Sequence, residues 1–265
     1  VSLHPVQRWR DRRDSYRRPD EQIAAHQFEV AELPDDTTPK GFILQHHYSG
    51  SYPAARVRFG LYRGPALVGV AVFSVPMQTK VLTSVFPGDP DASVELGRFV
   101  LVDDVPGNGE TWFLARCFAG LRAKGLRGVV SFSDPLPRAS ADGRTVFAGH
   151  LGIIYQAHNG RYLGRATART LDLLPDGRVF SARARQKVLG GERGWVYAAA
   201  QLEAFGAPAC PSDPDARAAW LKAALARYSR SVRHPGNHRY AWALHAKAGM
   251  VGTPQPYPKS PVRLF

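Results

Sequence analysis

Apolar positions along the chain follow two rhythms, one of strands and one of helices. The runs ARVRFGLYR (55–63) and ALVGVAVFSVP (66–76) are rich in β-branched and aromatic residues and flank Gly64-Pro65, which predicts an antiparallel hairpin. Before it, Thr37-Thr38-Pro39 reads as a helix start with a Thr N-cap and Pro in the first turn, the helix running on to Gly50. Residues 77–93 read as a loop, and SVELGRFVLVDDV (93–105) as a central strand. In TWFLARCFAGLRAKG, Trp112, Phe113, Ala115, Cys117, Phe118 and Leu121 cover one broad helical face, and Gly125 ends the helix as a C′ glycine. LRGVVSFSD (126–134) is a short buried-strand pattern. Strand, Gly-rich turn, helix and strand make a βαβ unit, which requires a parallel pair.

Further on, residues 135–149 read as a loop and GHLGIIYQAHN (149–159) as a short helix. TARTLDLL (167–174) and RVFSARAR (178–185) flank Pro175-Asp176-Gly177 as a second hairpin. WVYAAAQLEAF is a helix, Ser212 or Asp213 caps another through Tyr228, and NHRYAWALHAK (237–247) reads as a last strand before an irregular Pro-rich tail. Residues 1–20, with Arg8, Arg10, Arg12, Arg13, Arg17 and Arg18, suggest an exposed basic arm or short polar helix. The expected organisation is α/β (α+β): a mixed central sheet flanked by helices in a core over residues 21–190, a basic arm over 1–20, and a helical and strand extension over 191–265 packed on that core.

Composition narrows the class. Hydrophobic residues make up 44% of the 265, enough for a real core, and no stretch has the apolar length of a bilayer span. The first twenty residues hold no apolar segment of the signal-peptide kind, and two cysteines form no disulfide framework, so a cytoplasmic, reducing setting is expected. Lys and Arg number 35 against 22 Asp and Glu, a formal charge of +13. That suits a polyanion such as DNA, although a GC-rich coding bias would inflate Arg equally.

Candidate chemistry lies in two places. Asp104-Val105-Pro106-Gly107-Asn108-Gly109 sits between strand and helix, where glycines let backbone N–H groups approach an anion. Its spacing resembles the Q/R-x-x-G-x-G/A signature of GNAT acyltransferases, with Asp104 in place of Gln or Arg; Pro-Gly-Asn-Gly is also an ordinary turn. The other is a set of segments: His46-His47-Tyr48-Ser49; Glu95-Leu96-Gly97-Arg98 leading to Asn108-Gly109-Glu110-Thr111-Trp112; Ser131-Phe132-Ser133-Asp134; and Gly149-His150 running to Ile154-Tyr155-Gln156. In this order they resemble the Mom family of bacteriophage DNA-modification proteins, over about residues 40–165. Thr111 stands where the family has Ser, Phe132 where it has Tyr, and the insert between Asp134 and His150 is longer.

That resemblance implies a GNAT-like fold and a transferase that modifies the N6 amino group of adenine in double-stranded DNA with an acetamido (carbamoylmethyl) group. In phage this protects the genome from host restriction. It further implies an acetyl-CoA or related donor at Gly107, Asn108, Gly109, Glu110 and Thr111, and iron. On this reading Asp134 is a general base or base-edge contact. Tyr48 and Tyr155 stack on a flipped base or donate a proton, and His47 is a base or ligand. Ser49 joins the site, and Arg98 holds a phosphate or the donor carbonyl. Iron, if bound, would involve His47 and Asp134, the His and carboxylate types that suit it. Arg12, Arg13, Arg17, Arg230, Arg233 and Arg239 are candidate phosphate contacts. Each residue also has a plain structural reading: His46 and His47 as helix-end caps, Asp134 as a turn residue before Pro135, Tyr155 as core. Two other functions remain open: a GNAT-like N-acyltransferase for a protein or small-molecule amine, and a non-catalytic DNA-binding protein on that scaffold.

Overall fold

The computed structural model describes residues 4–10, 13–17 and 21–259, the first two stretches as backbone only. These two are strands, β1 (His4–Arg10) and β2 (Arg13–Arg17), paired antiparallel. The helical alternative for this segment is therefore not realised. Arg12 lies outside the described residues, as do the side chains of Arg13 and Arg17.

The chain continues through β3 (Phe28–Glu32), α1 (Thr37–His46), β4 (Ala55–Arg63), β5 (Ala66–Ser74), the short α2 (Lys80–Thr83), β6 (Ser93–Leu101), α3 (Gly109–Ala123) and β7 (Gly128–Ser133). Then follow β8 (Arg138–Ala139), β9 (Thr145–Phe147), α4 (Ile153–Ala157), β10 (Arg161–Arg165), β11 (Arg169–Leu173) and β12 (Val179–Phe180). Last come α5 (Ala182–Gly190), α6 (Trp195–Glu203), α7 (Pro214–Tyr228), β13 (Arg230–His234) and β14 (His238–Ala243).

Seven strands form the main sheet in the order β10-β14-β7-β6-β5-β4-β3. Every neighbouring pair is antiparallel except β6 and β7, which α3 joins as the βαβ pattern requires. The fold is thus a mixed sheet flanked by helices. Its two faces are read off the alternation of β5. Phe73 and Ala71 enter a core with Phe59, Val94, Leu96, Val129 and, from α3, Phe113, Leu114, Cys117 and Leu121. Val70 and Val72 point the other way, onto Ile43 of α1. On that second face, Val130 of β7 meets Phe86 and Leu82 beside α2.

Several local predictions shift, each for a physical reason. Helix α1 starts one residue past Asp36, with the Thr37 N–H bonded to Asp35 Oδ1 at 2.7 Å, so carboxylates rather than a Thr hydroxyl lead it. It ends at His46, because His47 turns extended at φ −94°, ψ 133°. The loop 77–93 contains a helical turn, α2. In the second hairpin only Val179–Phe180 pairs with β11; Ser181 then caps α5 through its hydroxyl to the Ala184 N–H at 3.0 Å, turning SARAR into helix. Asp213 caps α7 as expected, accepting from the Ala216 N–H at 2.8 Å.

The chain divides into two compact units, and not at residue 190. One comprises residues Val1–Pro135, His150–Ala166 and Asn237–Phe265; the other comprises Leu136–Gly149 and Thr167–Gly236. The second unit has its own three-stranded sheet, β12-β11-β13, and a core of Phe180, Val188, Ala199, Leu202, Leu221 and Leu225 from β12 and α5–α7. Strand β14, placed by sequence in an extension, is instead an inner strand of the main sheet, because its buried Tyr240, Ala241 and Trp242 complete that sheet beside β7. Both excursions out of the first unit are clasped at the neck: the His150 N–H bonds to the Asp134 carbonyl at 2.7 Å, and the Ala166 N–H to the Asn237 carbonyl at 2.8 Å.

Phe73 is fully buried, with its ring edge-on to Phe59 and Phe118 at 6.0 and 6.2 Å. Phe73→Ala is expected to lower unfolding free energy by about 3–5 kcal/mol, read from denaturant midpoints.

Candidate functional site

The site begins with an irregularity in β6. Arg98 pairs with Val72 and Leu96 with Phe73, so Gly97 is an extra residue, a β-bulge. Residues 95 and 98 of a regular strand point to opposite faces. With the bulge, Glu95 lies opposite Ser74 and Arg98 opposite Val72, which places both on the α1 side. A Cβ on Gly97 would stand 2.4 Å from Ser74 Oγ, so any larger residue there must displace that hydroxyl. At the same level the parallel pairing stops. It runs from Ser93↔Gly128 to Leu96↔Ser131, while β6 continues to Leu101 and β7 to Ser133. The two strands part beyond the bulge.

Arg98 fixes the loop that enters this gap. Its Nε donates to the Ser51 carbonyl at 2.8 Å, one terminal nitrogen to Ser51 Oγ at 2.8 Å, and the other to the Gly97 carbonyl at 2.5 Å. Upstream, His47 stands at the end of α1. Its Nδ1 accepts from the Ser49 N–H at 3.1 Å and lies 2.8 Å from Ser49 Oγ. A backbone N–H can only donate, so Nδ1 is the acceptor and the neutral ring carries its proton on Nε2. Burial, then the cation of Arg98 and then His150, hold the His47 pKa well below the ordinary histidine value. Burial lifts the Glu95 carboxyl above its usual range, opposed by Arg98.

Tyr48 stacks on His47 with ring centroids 4.3 Å apart, and its hydroxyl lies 3.3 Å from His150 Nε2. The backbone of His150 is the one clasped to Asp134. The half-buried Asp134 follows directly on β7, at the carboxyl end of the parallel pair, and His150 thereby joins Tyr48 to it. Tyr155 is in a different setting. It is buried on the α3 side, among Tyr240 and Trp242 at 5.5 and 5.6 Å between ring centroids. Burial raises its pKa; a hydrogen bond with Ser131 and the cation of Arg98 oppose this, while Glu95 adds to it. A phenol held neutral in this way can donate a proton and cannot serve as a base at neutral pH.

The expected set is therefore only partly assembled on one surface. His47, Tyr48, Ser49, Arg98 and Asp134 gather at the parted strand ends, with Ser49 serving His47. Tyr155 lies on the other face of the sheet and senses Arg98 and Glu95 across the gap. The sequence reading weighed His150 only as a ligand type for iron, and left Glu95, Ser131 and Ser51 out of the site. Three of these four stand inside the segments that carried the resemblance, but their placement depends on the bulge. A lone glycine within a strand pattern was the available signal.

The turn before α3 joins a left-handed residue to a helix N-terminus, with the Gly109 N–H bonded to the Pro106 carbonyl at 3.2 Å. Asn108 is left-handed at φ 63°, and Gly109 opens a 15-residue helix. Gly107 faces Glu21, whose carbonyl would stand 2.3 Å from an added Cβ, so this glycine serves internal packing. Thr111 Oγ1 donates back to the Asn108 carbonyl at 3.2 Å. Glu110 is a buried acid in the first turn, and Asp104 pairs with Arg63. Backbone N–H groups, rather than side chains, are what this turn can offer a phosphate.

Iron does not fit as expected. Among the described residues no three His, Cys, Asp or Glu side chains converge on a point, and the Nδ1 of His47 is occupied by Ser49. Arg230 and Arg233 are exposed on β13 of the second unit, Arg230 donating to the Ala139 carbonyl at 3.2 Å. Arg239 is not a free phosphate contact: it is half-buried in the main sheet and reaches the Leu163 carbonyl at 3.4 Å. Two clefts, of about 670 Å³ beside Trp112 and Arg116 and about 440 Å³ beside Arg185 and Lys222, share no residue with the cluster.

The sequence model of the Mom protein family matches residues 27–259, from the residue before β3 to beyond β14. The chain belongs to the Mom protein family. No curated protein matches it. Among solved structures it is similar to an IAA acetyltransferase from Bacillus cereus ATCC 14579, at 13% identity over 57% of this chain and 92% of that one, with a TM-score of 0.37. It is also similar to an N-acetyltransferase from Staphylococcus aureus Mu50, at 11% identity over 82% and 99%, with a TM-score of 0.36. At such scores the overlays carry no argument of their own. No helix among the described residues is long and apolar enough to cross a membrane.

A pH experiment tests the electrostatics. His47 in the folded chain resists protonation, so below about pH 6.5 the unfolded chain binds the proton in preference. Its contribution to stability is constant above that value and is lost as pH falls through it. Arg98→Gln removes the larger of the opposing charges and should raise the His47 pKa in an NMR titration; an unmoved value would remove Arg98 as a cause of the depression.

Proposed function

We propose that this chain is a transferase that modifies the N6 amino group of adenine in duplex DNA with a group of the acetamido (carbamoylmethyl) type, protecting phage DNA from host restriction inside the bacterial cell. The observation that carries the reading is membership of the Mom family over nearly the whole described chain. The polar cluster at the parted strand ends, and the formal charge of +13, support it.

Adenine N6 is a weak nucleophile, since its lone pair is delocalised into the ring. An enzyme must take the base out of the stack, orient N6 and remove a proton as the bond forms. Asp134 is assigned the proton. Tyr48 offers a face for stacking, already ordered by His47 and His150, and Arg98 holds a developing negative charge on the donor carbonyl. Tyr155, closed in the core on the α3 side, touches neither partner and acts only through Arg98 and Glu95; the leaving group takes its proton from solvent. A CoA-linked donor, its phosphates at the backbone of residues 107–111, would supply the electrophilic carbon and leave as the CoA thiol; an acyl-CoA alone delivers an acyl group through its carbonyl, so a carbamoylmethyl product requires a donor that also carries the amide nitrogen. No step is assigned to iron.

A second reading keeps the fold and the turn at Asn108 but takes a protein or small-molecule amine as acceptor; the strand-turn-helix order of β6 and α3 favours it equally. The deciding experiment is mass spectrometry of nucleosides from host DNA after expression. A modified deoxyadenosine is expected, and the mass added defines the group. Asp134→Asn should lower its yield about 10²–10⁴-fold. Unmodified nucleosides from soluble protein, with acylation of a free amine retained, would favour the second reading.

DNA binding has its own test. Arg230→Glu and Arg233→Glu are expected to weaken binding uniformly across sequences and to lower the slope of log K against log salt by about 0.9 per lost contact. A slope unchanged in both would remove β13 from the interface.

A further inference from the structure

Large apolar side chains left in solvent lie on the segments that border the Tyr48–His150–Asp134 cluster. Ile153, 54% exposed, is the first residue of α4, three positions after His150. Its neighbours Ile154 and Tyr155 pack into the core, so the backbone beneath it is anchored. Met77, 78% exposed, and Val75, 55% exposed, follow β5 directly. The Val75 N–H bonds to the Ala54 carbonyl at 2.9 Å, and Pro53 stands 3.3 Å from a Cβ placed on Gly97, so this segment borders the bulge beside Arg98. Leu44 is exposed on α1, one turn before Tyr48.

A polar cluster bordered by bare apolar side chains offers two kinds of contact side by side. It is what an opened duplex needs. When a base leaves the stack, its neighbours lose their partner, and an apolar wedge that takes its place offsets part of the cost. We propose that Ile153 enters the gap left in the base stack when adenine is withdrawn from duplex DNA, with Met77 covering the bases at the other border of the site. This rests on the reading of the site as acting on adenine in duplex DNA. Ile153 suits the role because a β-branched side chain in a helix has one dominant rotamer and loses little freedom on insertion.

The test needs no donor. Duplex oligonucleotides carry 2-aminopurine in place of the adenine found modified in cellular DNA, either paired with thymine or placed opposite an abasic site. With wild-type protein, fluorescence rises on the paired duplex as the base unstacks. Ile153→Ala is expected to reduce that rise about tenfold on the paired duplex and less than about twofold opposite the abasic site, where no pairing partner holds the base in the helix. Met77→Ala should act in the same direction, more weakly. Both are exposed positions, so neither substitution disturbs the core. A normal wild-type signal that Ile153→Ala leaves unchanged, or reduces equally on both duplexes, overturns the wedge and leaves adenine modification standing. No modified adenine in cellular DNA at all removes the function first, and the wedge with it.

Discussion

One extra residue in one strand organises the site. The bulge at Gly97 reverses the alternation of β6, so Glu95 and Arg98 share a face that regular pleating would deny them. At the same level the hydrogen bonding between β6 and β7 ends. Arg98 then reaches the loop after α1 and fixes Ser51, while its charge depresses His47 and opposes the raised pKa of Tyr155. Remove the bulge and the arginine faces the packed α3 side, where Phe99 and Leu101 now lie.

The strands on either side of the gap carry different chemistry. The α1 side is partly open and holds a His47 that stays neutral, Tyr48 between His47 and His150, and Asp134. The α3 side is closed and holds a phenol kept protonated by its surroundings. Arg98 and Glu95 are the groups through which the two faces influence each other.

Much of the fold was legible in the sequence because the decisive patterns are local. Gly64-Pro65 between two β-branched runs marks a hairpin, and a strand followed by a glycine turn and an amphipathic helix demands a parallel pair. Less was legible where the outcome is a contest. Ser181 could extend a strand or cap a helix, and its hydroxyl found the Ala184 N–H. Strand β14 carries a pattern shared by any buried strand, and only tertiary pairing with β7 and β10 places it in the main sheet. At the site, the residue types were visible but their facing was not. Arg239 reads as a surface cation until the sheet half-buries it. His150 gained its role from a bond between its backbone and that of Asp134, which no residue type announces.

The two clasped necks have a wider consequence. Asp134 and His150 meet through a backbone hydrogen bond, as do Ala166 and Asn237, so each excursion leaves and returns at one point. Chain added or removed beyond such a closed neck exerts no leverage on the strands beneath. The entropy of closing a longer loop grows only with the logarithm of its length. A change of length beyond either neck therefore costs the closed ends in the first unit little.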